Sequence, residues 1–225
     1  MAAGAGRHAG APEGGTAMKK LLISGHDGRM GQAVAALAGD YGFEARAFAP
    51  GMTGDVIVDF SHPDCLTDLL KTNLPLVIGT TGYTPTQQHM IAQAAGARPI
   101  FQATNFSPGV FALTRLARQA RTLLPDWQTT LIERHHAAKQ DSPSGTALRL
   151  AEAAQIAEIH AIRAGTVRGV HELTFYGSEE TLTLMHNAES RDVFAHGALR
   201  AAVWLMGRQA GLYGMEDLWG ERAFF

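Results

Sequence analysis

The sequence has one cysteine, no long apolar run and no strong excess of either charge, and each absence excludes a class of protein. The single cysteine, Cys65, cannot form an internal disulfide and suits a reducing compartment, so we expect a cytoplasmic protein. No apolar run approaches the ~20 residues that span a bilayer, so we expect no membrane insertion. The net charge of −2 gives no support for nucleic-acid binding. With 46% apolar residues in 225, the chain is predicted to be a soluble globular protein of one or two domains.

The first seventeen residues differ in composition from the rest of the chain. They are mostly alanine and glycine and have no strand or helix periodicity, so we predict that residues 1–17 form a disordered tail. Met18, Lys19 and Lys20 then precede a run of apolar residues. We therefore expect the folded part of the chain to begin at Met18.

Short apolar runs alternate with helical stretches from Lys20 to about residue 105. Strands are predicted at residues 21–23, 44–48, 56–60, 76–78 and 99–102, with helices between them. One helix start is specified closely, because Thr84, Pro85 and Gln87 match a capping box with proline in the first helical position. The alternation predicts an α/β fold, in which a Rossmann-like parallel sheet is covered by helices on both faces.

The pattern changes after Asn105. Helices are predicted at residues 110–124, 147–158 and 198–206, and strands at residues 128–133, 170–176 and 181–187. A polar turn separates the last two strands, which favours a hairpin and a mixed or antiparallel sheet. We therefore predict a first domain at residues 18–105 and a second, α+β domain with a mixed open sheet at residues 106–207.

A glycine-rich turn follows the first predicted strand and opens a helix. Residues 25–31, G-H-D-G-R-M-G, have G-x-x-G-x-x-G spacing rather than the usual G-x-G-x-x-G. Glycines let the backbone approach a pyrophosphate, whose charge a helix N-terminus stabilises. The alternative is an ordinary glycine-rich turn. Residues 79–82 and 103–107 also follow strands, at the sheet edge where ligands bind, and could border a nicotinamide or be simple turns.

The end of the second predicted strand carries no acidic residue. NAD-binding proteins usually have an acid there that bonds the ribose hydroxyls. This chain has Phe48 instead, with Arg46 two residues earlier. Phe48 could stack on adenine and Arg46 could meet a 2′-phosphate, so the sequence leaves the choice between NADH and NADPH open.

Residues 133–146 concentrate groups that move protons and hold anions. His135 and His136 can exchange protons near neutral pH, and Lys139 adds a cation. Ser142 is predicted to cap the next helix, with Pro143 in its first position, so that the following backbone amides form an anion site. This combination favours a small carboxylate substrate that gains a proton. A plain polar loop before a capped helix is one alternative. Zinc is the other, but vicinal histidines rarely share an ion and the lysine opposes a divalent cation, so we expect no metal.

Residues 133–147, E-R-H-H-A-A-K-Q-D-S-P-S-G-T-A, closely resemble the signature E-x-H-H-x-x-K-x-D-x-P-S-G-T-A of the 4-hydroxy-tetrahydrodipicolinate reductase (dihydrodipicolinate reductase) family. The similarity extends over residues 18–220 and includes residues 25–31, 58–61, 79–82, 105–109 and 190–195. Two features depart from the family pattern: the segment between Phe48 and Val56 is short, and Phe48 itself stands where an acid is usual.

The resemblance implies an oxidoreductase of lysine biosynthesis. Members reduce (2S,4S)-4-hydroxy-2,3,4,5-tetrahydrodipicolinate to (S)-2,3,4,5-tetrahydrodipicolinate with NADH or NADPH and release water, in the diaminopimelate route. They are typically homotetramers assembled through the second sheet, and residues 208–225 would return to the first domain. The alternatives are another NAD(P)-dependent imine or amino-acid dehydrogenase on the same fold, or a nucleotide-sensing module without catalysis.

The resemblance also implies roles for individual residues. His135 would donate or accept a proton, and Lys139 would be a second proton donor that contacts the substrate. His136, Gly145 and Thr146 would hold the two carboxylates. The residues that would line the dinucleotide are Gly25, His26, Asp27, Gly28, Arg29, Met30, Gly79, Thr80, Thr81, Ala103, Thr104, Asn105 and Phe106.

Overall fold

The computed structural model describes residues 17–220, in which ten strands form two sheets. The strands are β1 (Lys19–Ser24), β2 (Phe43–Ala47), β3 (Val56–Asp59), β4 (Leu76–Ile78), β5 (Pro99–Gln102), β6 (Gln128–His135), β7 (Glu158–Arg163), β8 (Val170–Tyr176), β9 (Thr181–Asn187) and β10 (Gly211–Tyr213). The helices are α1 (Arg29–Leu37), α2 (Leu66–Leu70), α3 (Pro85–Ala95), α4 (Pro108–Leu123), α5 (Gly145–Ala154), α6 (Asp192–Leu205) and α7 (Met215–Trp219), with short 3-10 helices at Ala38–Tyr41 and Pro63–Cys65. The predicted tail, residues 1–17, lies outside the described residues except for Ala17. Within residues 17–220, no helix combines the length and apolar character needed to cross a membrane.

Sheet A contains six strands in the order β10-β5-β4-β3-β1-β2, and all of its pairings are parallel. Its central strands β3 and β4 are buried at every position. Strands that are buried on both faces need continuous apolar runs, and parallel sheets are of this kind. The Rossmann-like sheet predicted from the sequence is therefore confirmed. The predicted capping box at Thr84 is confirmed as well, since its hydroxyl accepts from the Gln87 amide and the Gln87 side chain accepts from the Thr84 amide.

Helices cover both faces of sheet A because successive strand residues point to opposite faces. Leu21 and Ile23 of β1 belong to a core that includes α1 and α6, whereas Leu22, between them, belongs to a core built with α2 and α3. The six parallel strands therefore end at one common edge, and the loops that follow β1, β3, β4 and β5 meet there.

Helix α6 follows sheet B in the chain but packs on sheet A. Its buried side chains are mainly alanine and leucine, and they join the core formed by β1, β3 and β4. The contact is close: a Cβ atom added at Gly197 would lie 2.0 Å from the carbonyl oxygen of Phe106. The predicted second domain, residues 106–207, included this helix. By packing, α6 goes with sheet A, because its apolar face is buried there.

Sheet B contains four strands in the order β7-β6-β8-β9. Strand β6 pairs with β7 in parallel and with β8 antiparallel, and β8 pairs antiparallel with β9, so the sheet is mixed, as predicted. Helices α4 and α5 cover one face of it, with a core that includes Leu113, Leu131, Leu150, Leu173 and Phe175. The other face carries half-buried and exposed side chains.

Two strands were not predicted from the sequence. The helix expected at residues 147–158 ends at Ala154, because Gln155 has a left-handed conformation (φ 54°) that terminates it. Strand β7 then lies at the edge of sheet B with alternate residues exposed; the helix predicted as far as residue 158 overlapped its start, and its mixed sequence E-I-H-A-I-R was not recognised as a strand. Strand β10 has only three residues and adds to sheet A beside β5.

We expect the buried Arg98 to be needed for the stability of sheet A. It is 3% exposed, and its guanidinium donates to the carbonyl oxygens of Leu69, Thr72 and Leu74. Arg98→Met would remove this donor from the carbonyl oxygens of Thr72 and Leu74, each at a cost of about 1–3 kcal/mol, whereas the Leu69 oxygen would still accept from Thr72. We predict that the free energy of unfolding, measured by chemical denaturation, falls by about 2–4 kcal/mol.

The control for this prediction is Arg118→Met. Arg118 is an exposed residue of α4, so the same substitution should change the free energy of unfolding by less than about 0.5 kcal/mol. Equal effects of the two substitutions would contradict a special role for Arg98.

Candidate active site

Strand β6 places an acidic and a basic side chain on the same buried face. Leu131, Glu133 and His135 alternate with half-buried residues along the strand, and Glu133 and His135 are 0% and 8% exposed. The antiparallel register pairs Glu133 with His171 of β8, and the parallel register pairs His135 with Arg163 of β7. Four ionisable side chains from three strands therefore meet beneath the start of α5.

The Glu133 carboxylate is the centre of this cluster. Its Oε1 accepts hydrogen bonds from the Ser144 amide at 2.8 Å and from Arg163 Nη2 at 2.7 Å. Its Oε2 lies 3.1 Å from His135 Nδ1 and 3.8 Å from His171 Nε2. Burial raises the pKa of Glu133, but the hydrogen bonds from Ser144 and Arg163 outweigh it, so the pKa lies below its ordinary value and the group is an anion.

Both histidines of the cluster favour the neutral form. Burial lowers the pKa of His135 below its ordinary value; Glu133 opposes this decrease, and the charges of Lys139 and Arg163 add to it. Burial, followed by the charge of His135, lowers the pKa of His171 to about 4. The two rings are packed edge to face with their centroids 5.3 Å apart. At neutral pH the cluster thus holds one carboxylate and two uncharged imidazoles.

Ser144, not Ser142, caps helix α5. Ser144 has an extended backbone and its hydroxyl accepts from the Ala147 amide at 3.2 Å, so the helix begins at Gly145. The prediction placed the cap two residues too early. The buried Glu133 explains the difference, because its carboxylate binds the Ser144 amide and fixes that residue at the helix start. Pro143 consequently lies before the helix rather than in its first position.

The loop between His135 and α5 holds a carboxylate against a lysine. Lys139 Nζ lies 2.7 Å from Asp141 Oδ1, and the Gly145 amide also bonds the Asp141 carboxylate. Burial raises the pKa of Asp141, but these contacts outweigh it and the pKa lies below its ordinary value. Gly145 is exposed, and no atom lies within 4 Å of the position a Cβ would take there. His136 is half-buried at the start of this loop.

The start of α5 is joined to the end of β5. Asn105 Nδ2 donates to Thr146 Oγ1 at 3.1 Å. Beside this contact lies a cavity of about 460 Å³, lined by the end of β5, the loop after it and residues of helices that include α4, α5 and α7. Its lining includes Ala103, Thr104, Asn105, Thr146, Arg149 and Met215. Of the predicted carboxylate-binding residues, Thr146 therefore lines the same cavity as Ala103, Thr104 and Asn105, whereas His136 and Gly145 are not part of its lining.

The glycine-rich turn after β1 depends on missing side chains. Gly25 has a φ of +78°, and a Cβ there would lie 2.3 Å from the Phe60 carbonyl oxygen. A Cβ at Gly31 would lie 2.2 Å from the carbonyl oxygen of Gly25. Gly28 is the N-cap of α1, and no side chain bonds the amides of this helix end. The turn therefore packs tightly against the loop after β3 and leaves the start of α1 open to an anion.

Two cavities flank the N-terminus of α1. One of about 460 Å³ is lined by residues that include Gly28, Arg29, Met30, Gly79, Thr80 and Thr81. The other, of about 430 Å³, is lined by residues that include Gly25, His26, Asp27, Gly28 and Phe48. An open helix end between two cavities, both lined by Phe60 and one also by Phe48, fits a dinucleotide with its pyrophosphate at the helix and its adenine beside Phe48.

Two predicted cofactor contacts differ from this arrangement. Phe106 is 2% exposed, and its ring packs on Phe60 and Phe101 in the core, with centroid distances of 5.6 and 5.9 Å. Its side chain therefore belongs to the core and not to the cavities described above. Arg46 is paired with Glu44, Nη2 to Oε1 at 2.6 Å, which partly neutralises the cation proposed for a 2′-phosphate.

Arg163 and His171 were missed in the sequence, and Glu133 was given no role there. Glu133 and His135 are two residues apart on a strand, so the shared face could have been inferred from the period of two. Arg163 lies on the unpredicted strand β7, and His171 meets the site through the pairing register, which the sequence does not state. Glu133, His135 and His171 could together ligate a metal, but the Arg163 guanidinium, 2.7 Å from the same carboxylate, opposes a cation. The absence of a metal stays a prediction.

The chain matches known proteins in sequence and in fold. The family model described as the N-terminus of dihydrodipicolinate reductase matches residues 45–106, and the model described as its C-terminus matches residues 109–219. A solved structure, the dipicolinate-bound dihydrodipicolinate reductase from Paenisporosarcina sp. TG-14, superposes with a TM-score of 0.74 at 22% identity, and covers 89% of this chain and 99% of the other.

Curated relatives carry the same activity in their names. A 4-hydroxy-tetrahydrodipicolinate reductase from Caldanaerobacter subterraneus is 35% identical over 89% of this chain and 98% of its own length. One from Xanthomonas campestris is 38% identical over 90% and 98%, and one from Rickettsia bellii is 40% identical over 73% and 75%. With both family models matched in chain order and two of these relatives covered over 98% of their length, the chain belongs to the dihydrodipicolinate reductase family.

Proposed function

We propose that the protein reduces 4-hydroxy-tetrahydrodipicolinate to tetrahydrodipicolinate, with loss of water, in the diaminopimelate route of lysine biosynthesis. The observation that carries this proposal is the arrangement of His135, Lys139 and the start of α5 beside the nucleotide-type loops of sheet A. That arrangement contains a proton-exchanging imidazole, a cation and a helix start whose Thr146 lines the cavity next to Ala103, Thr104 and Asn105. Membership of the reductase family supports the same reaction.

The substrate is a small dicarboxylate, and we infer that the start of α5 binds one of its carboxylates. Lys139 and the Gly145 amide already hold the carboxylate of Asp141, so this position suits an anion. Asp141 is half-exposed and can turn to solvent when a substrate carboxylate takes its place. We assign His136 and Thr146 to the same binding task. Fixing both carboxylates orients the acceptor carbon, which can lower the barrier by several kcal/mol.

We assign proton transfer to His135 and Lys139. The nicotinamide supplies a hydride, and the conjugated acceptor that receives it needs a proton from the protein. A positioned acid contributes about 10²–10⁴-fold to the rate of such a step. His135, with its buried Nδ1, has one nitrogen left to face the substrate, and Lys139 is close enough for its charge to lower the pKa of that histidine.

The cofactor is a pyridine nucleotide, and we propose that both NADH and NADPH serve. The residues assigned to it are Gly25, His26, Asp27, Gly28, Arg29, Met30, Gly79, Thr80, Thr81, Ala103, Thr104 and Asn105, together with the backbone of Phe106. No acid stands at the end of β2 to select NADH, and Arg46 is already paired with Glu44, so neither cofactor has a dedicated partner.

We propose that the chain divides into domains at about residues 106 and 207, with α6 packed back on sheet A.

We also propose a homotetramer assembled through the open face of sheet B. The face opposite α4 and α5 carries large apolar side chains that are 43%, 42% and 62% exposed at Ile162, Tyr176 and Met185. Apolar side chains on an uncovered sheet face are typical of an interface between copies.

Two other functions remain as alternatives. A dehydrogenase for a different imine or amino acid would keep the nucleotide loops and turn over another substrate. A nucleotide-sensing module would bind the cofactor without turnover. One assay separates all three: dihydrodipicolinate synthase, pyruvate and aspartate semialdehyde generate the substrate, and the decrease in NAD(P)H absorbance reports its reduction.

In that assay we predict that His135→Gln and Lys139→Met each lower kcat by about 10²–10⁴-fold, because each removes a proton donor. Binding of NAD(P)H, measured by fluorescence titration, should change less than threefold. The matched control is His160→Gln, an exposed histidine on the neighbouring strand β7. Full turnover by either site variant would refute its assignment.

We also predict that NADH and NADPH give kcat/KM values within about 100-fold of each other, since 100-fold is about 2.7 kcal/mol of differential recognition. Steady-state kinetics with each cofactor measures this ratio. An Arg46→Ala variant should change it only slightly, because Glu44 already engages the guanidinium. A ratio of kcat/KM values above about 100 would contradict the use of both cofactors.

For the assembly, we predict that Met185→Glu reduces the molar mass measured by light scattering, because a charge would be buried in the proposed interface. The matched control is Leu123→Glu at the end of α4, where the side chain is 71% exposed on another surface. A wild-type protein that is monomeric at micromolar concentration would contradict the proposal.

A further inference from the structure

The fully buried Glu133 is assigned neither to substrate binding nor to proton transfer. It is 0% exposed, and its two oxygens have different neighbours. Oε1 is held by two donors, the Ser144 amide and Arg163, whereas Oε2 has no hydrogen-bond partner and faces two imidazoles. The nearer of these is His135, whose Nδ1 is 3.1 Å away and also has no hydrogen-bond partner.

The carboxylate is anchored from two sides. Ser144 belongs to the start of α5, and Arg163 ends strand β7, so two separate elements hold Oε1. Arg163 Nη2 also donates to the carbonyl oxygen of Asp141 at 2.6 Å, which ties the anchor to the loop that carries Lys139. A carboxylate fixed in this way can fix a neighbouring ring in turn.

The other nitrogen of His135, Nε2, lies beside a glycine. A Cβ added at Gly169 would lie 3.1 Å from His135 Nε2, so a side chain at this position would crowd that nitrogen. Nδ1 is buried against the carboxylate, whereas Nε2 faces residue 169, which as glycine has no side chain. The two ring nitrogens therefore have separate environments.

We propose that Glu133 is a positioning residue, which keeps the neutral His135 protonated on Nδ1 and leaves Nε2 to exchange a proton with the substrate. The inference rests on the proposed function for its catalytic consequence, but the tautomer it assigns is a property of the protein alone. A carboxylate that orients a histidine in this way typically changes activity by tens of fold or more when it is removed.

The electrostatic consequence has a definite sign. The charged and titratable groups around His135 are Glu133, Asp141, Lys139, Arg163 and His171. Of these, Glu133 is the strongest influence that raises the pKa of His135. The imidazolium form of His135, which carries protons on both nitrogens, is the acid that donates from Nε2. Activity therefore declines as pH rises through the pKa of His135 in the complex with substrate. Removing the charge of Glu133 lowers that pKa, and the alkaline limb of the kcat profile moves to lower pH.

The test is Glu133→Gln, which keeps the shape of the side chain and removes its charge. We expect kcat to fall about 10–100-fold with KM changed less than threefold, and the alkaline limb to move to lower pH. The matched control is Glu158→Gln. Glu158 and His160 have the same spacing on β7 and the same 3.1 Å separation, but they are exposed, so this variant should behave as the wild type.

A spectroscopic measurement tests the proposal without turnover. In protein with ¹⁵N-labelled histidine, we expect the neutral His135 ring to carry its proton on Nδ1 in the wild type and on Nε2 in Glu133→Gln, where the amide donates to Nδ1. The signals are assigned with His135→Gln. Because the wild-type ring suffices for the first result, a variant that fails to fold does not remove the test.

The outcomes separate this inference from the proposed function. A wild-type ring protonated on Nε2 overturns the positioning role, as does a Glu133→Gln variant with an unchanged pH profile and tautomer. An Nδ1-protonated ring in a protein without reductase turnover would support the positioning and refute the function instead. A loss of kcat equal to that of Glu158→Gln would also count against Glu133.

Discussion

The burial of one carboxylate is the constraint on which the site depends. A charge removed from water is strongly destabilising unless donors surround it. Glu133 meets this requirement at Oε1, with the Ser144 amide before α5 and the Arg163 guanidinium of β7, while the imidazoles of β6 and β8 lie 3.1 and 3.8 Å from Oε2. One anion therefore links the register of sheet B, the start of a helix and the position of an edge strand. A shift of any of them would leave the carboxylate, or one of its donors, buried without a partner.

The same constraint accounts for the shape of the loop that binds anions. Because Glu133 takes the Ser144 amide, the helix begins at Gly145, whose amide faces the Asp141 carboxylate that Lys139 also contacts. Arg163 bonds both Glu133 and the carbonyl of Asp141, so the loop is held to the buried carboxylate at two points. The two tasks proposed for this site, proton transfer and anion binding, are thus organised around a single buried group to which neither task is assigned.

Much of the fold follows from local signals, and the missing parts follow from their absence. The buried runs of β3 and β4, the capping box at Thr84 and the hairpin of β8 and β9 are each specified by a few neighbouring residues. Strand β7 lies at a sheet edge and its polar–apolar alternation breaks at Ile162, and β10 is three residues long, so neither shows a clear period of two. The candidate residues of the loop were found because they are adjacent in sequence. Arg163 and His171 are adjacent only through the pairing of strands, which depends on the whole sheet. The helix start at Ser144 rather than Ser142 is of the same kind, since the residue that selects it lies eleven positions earlier on β6.

The two sheets contribute unequally to what the protein does. Sheet A offers a glycine-rich turn and an open helix end, which bind dinucleotides in proteins of many activities, so its fold alone does not select a reaction. Sheet B supplies the Glu133 carboxylate and the two imidazoles, and α5, which packs on this sheet, supplies the helix start proposed to bind a dicarboxylate. The Asn105–Thr146 hydrogen bond joins the loop after β5 to the start of α5. It therefore links the nucleotide-type loops of sheet A to the site around Glu133. Substitutions near the glycine-rich turn should therefore alter which cofactor is used, whereas those around Glu133 should alter whether the acceptor is reduced at all.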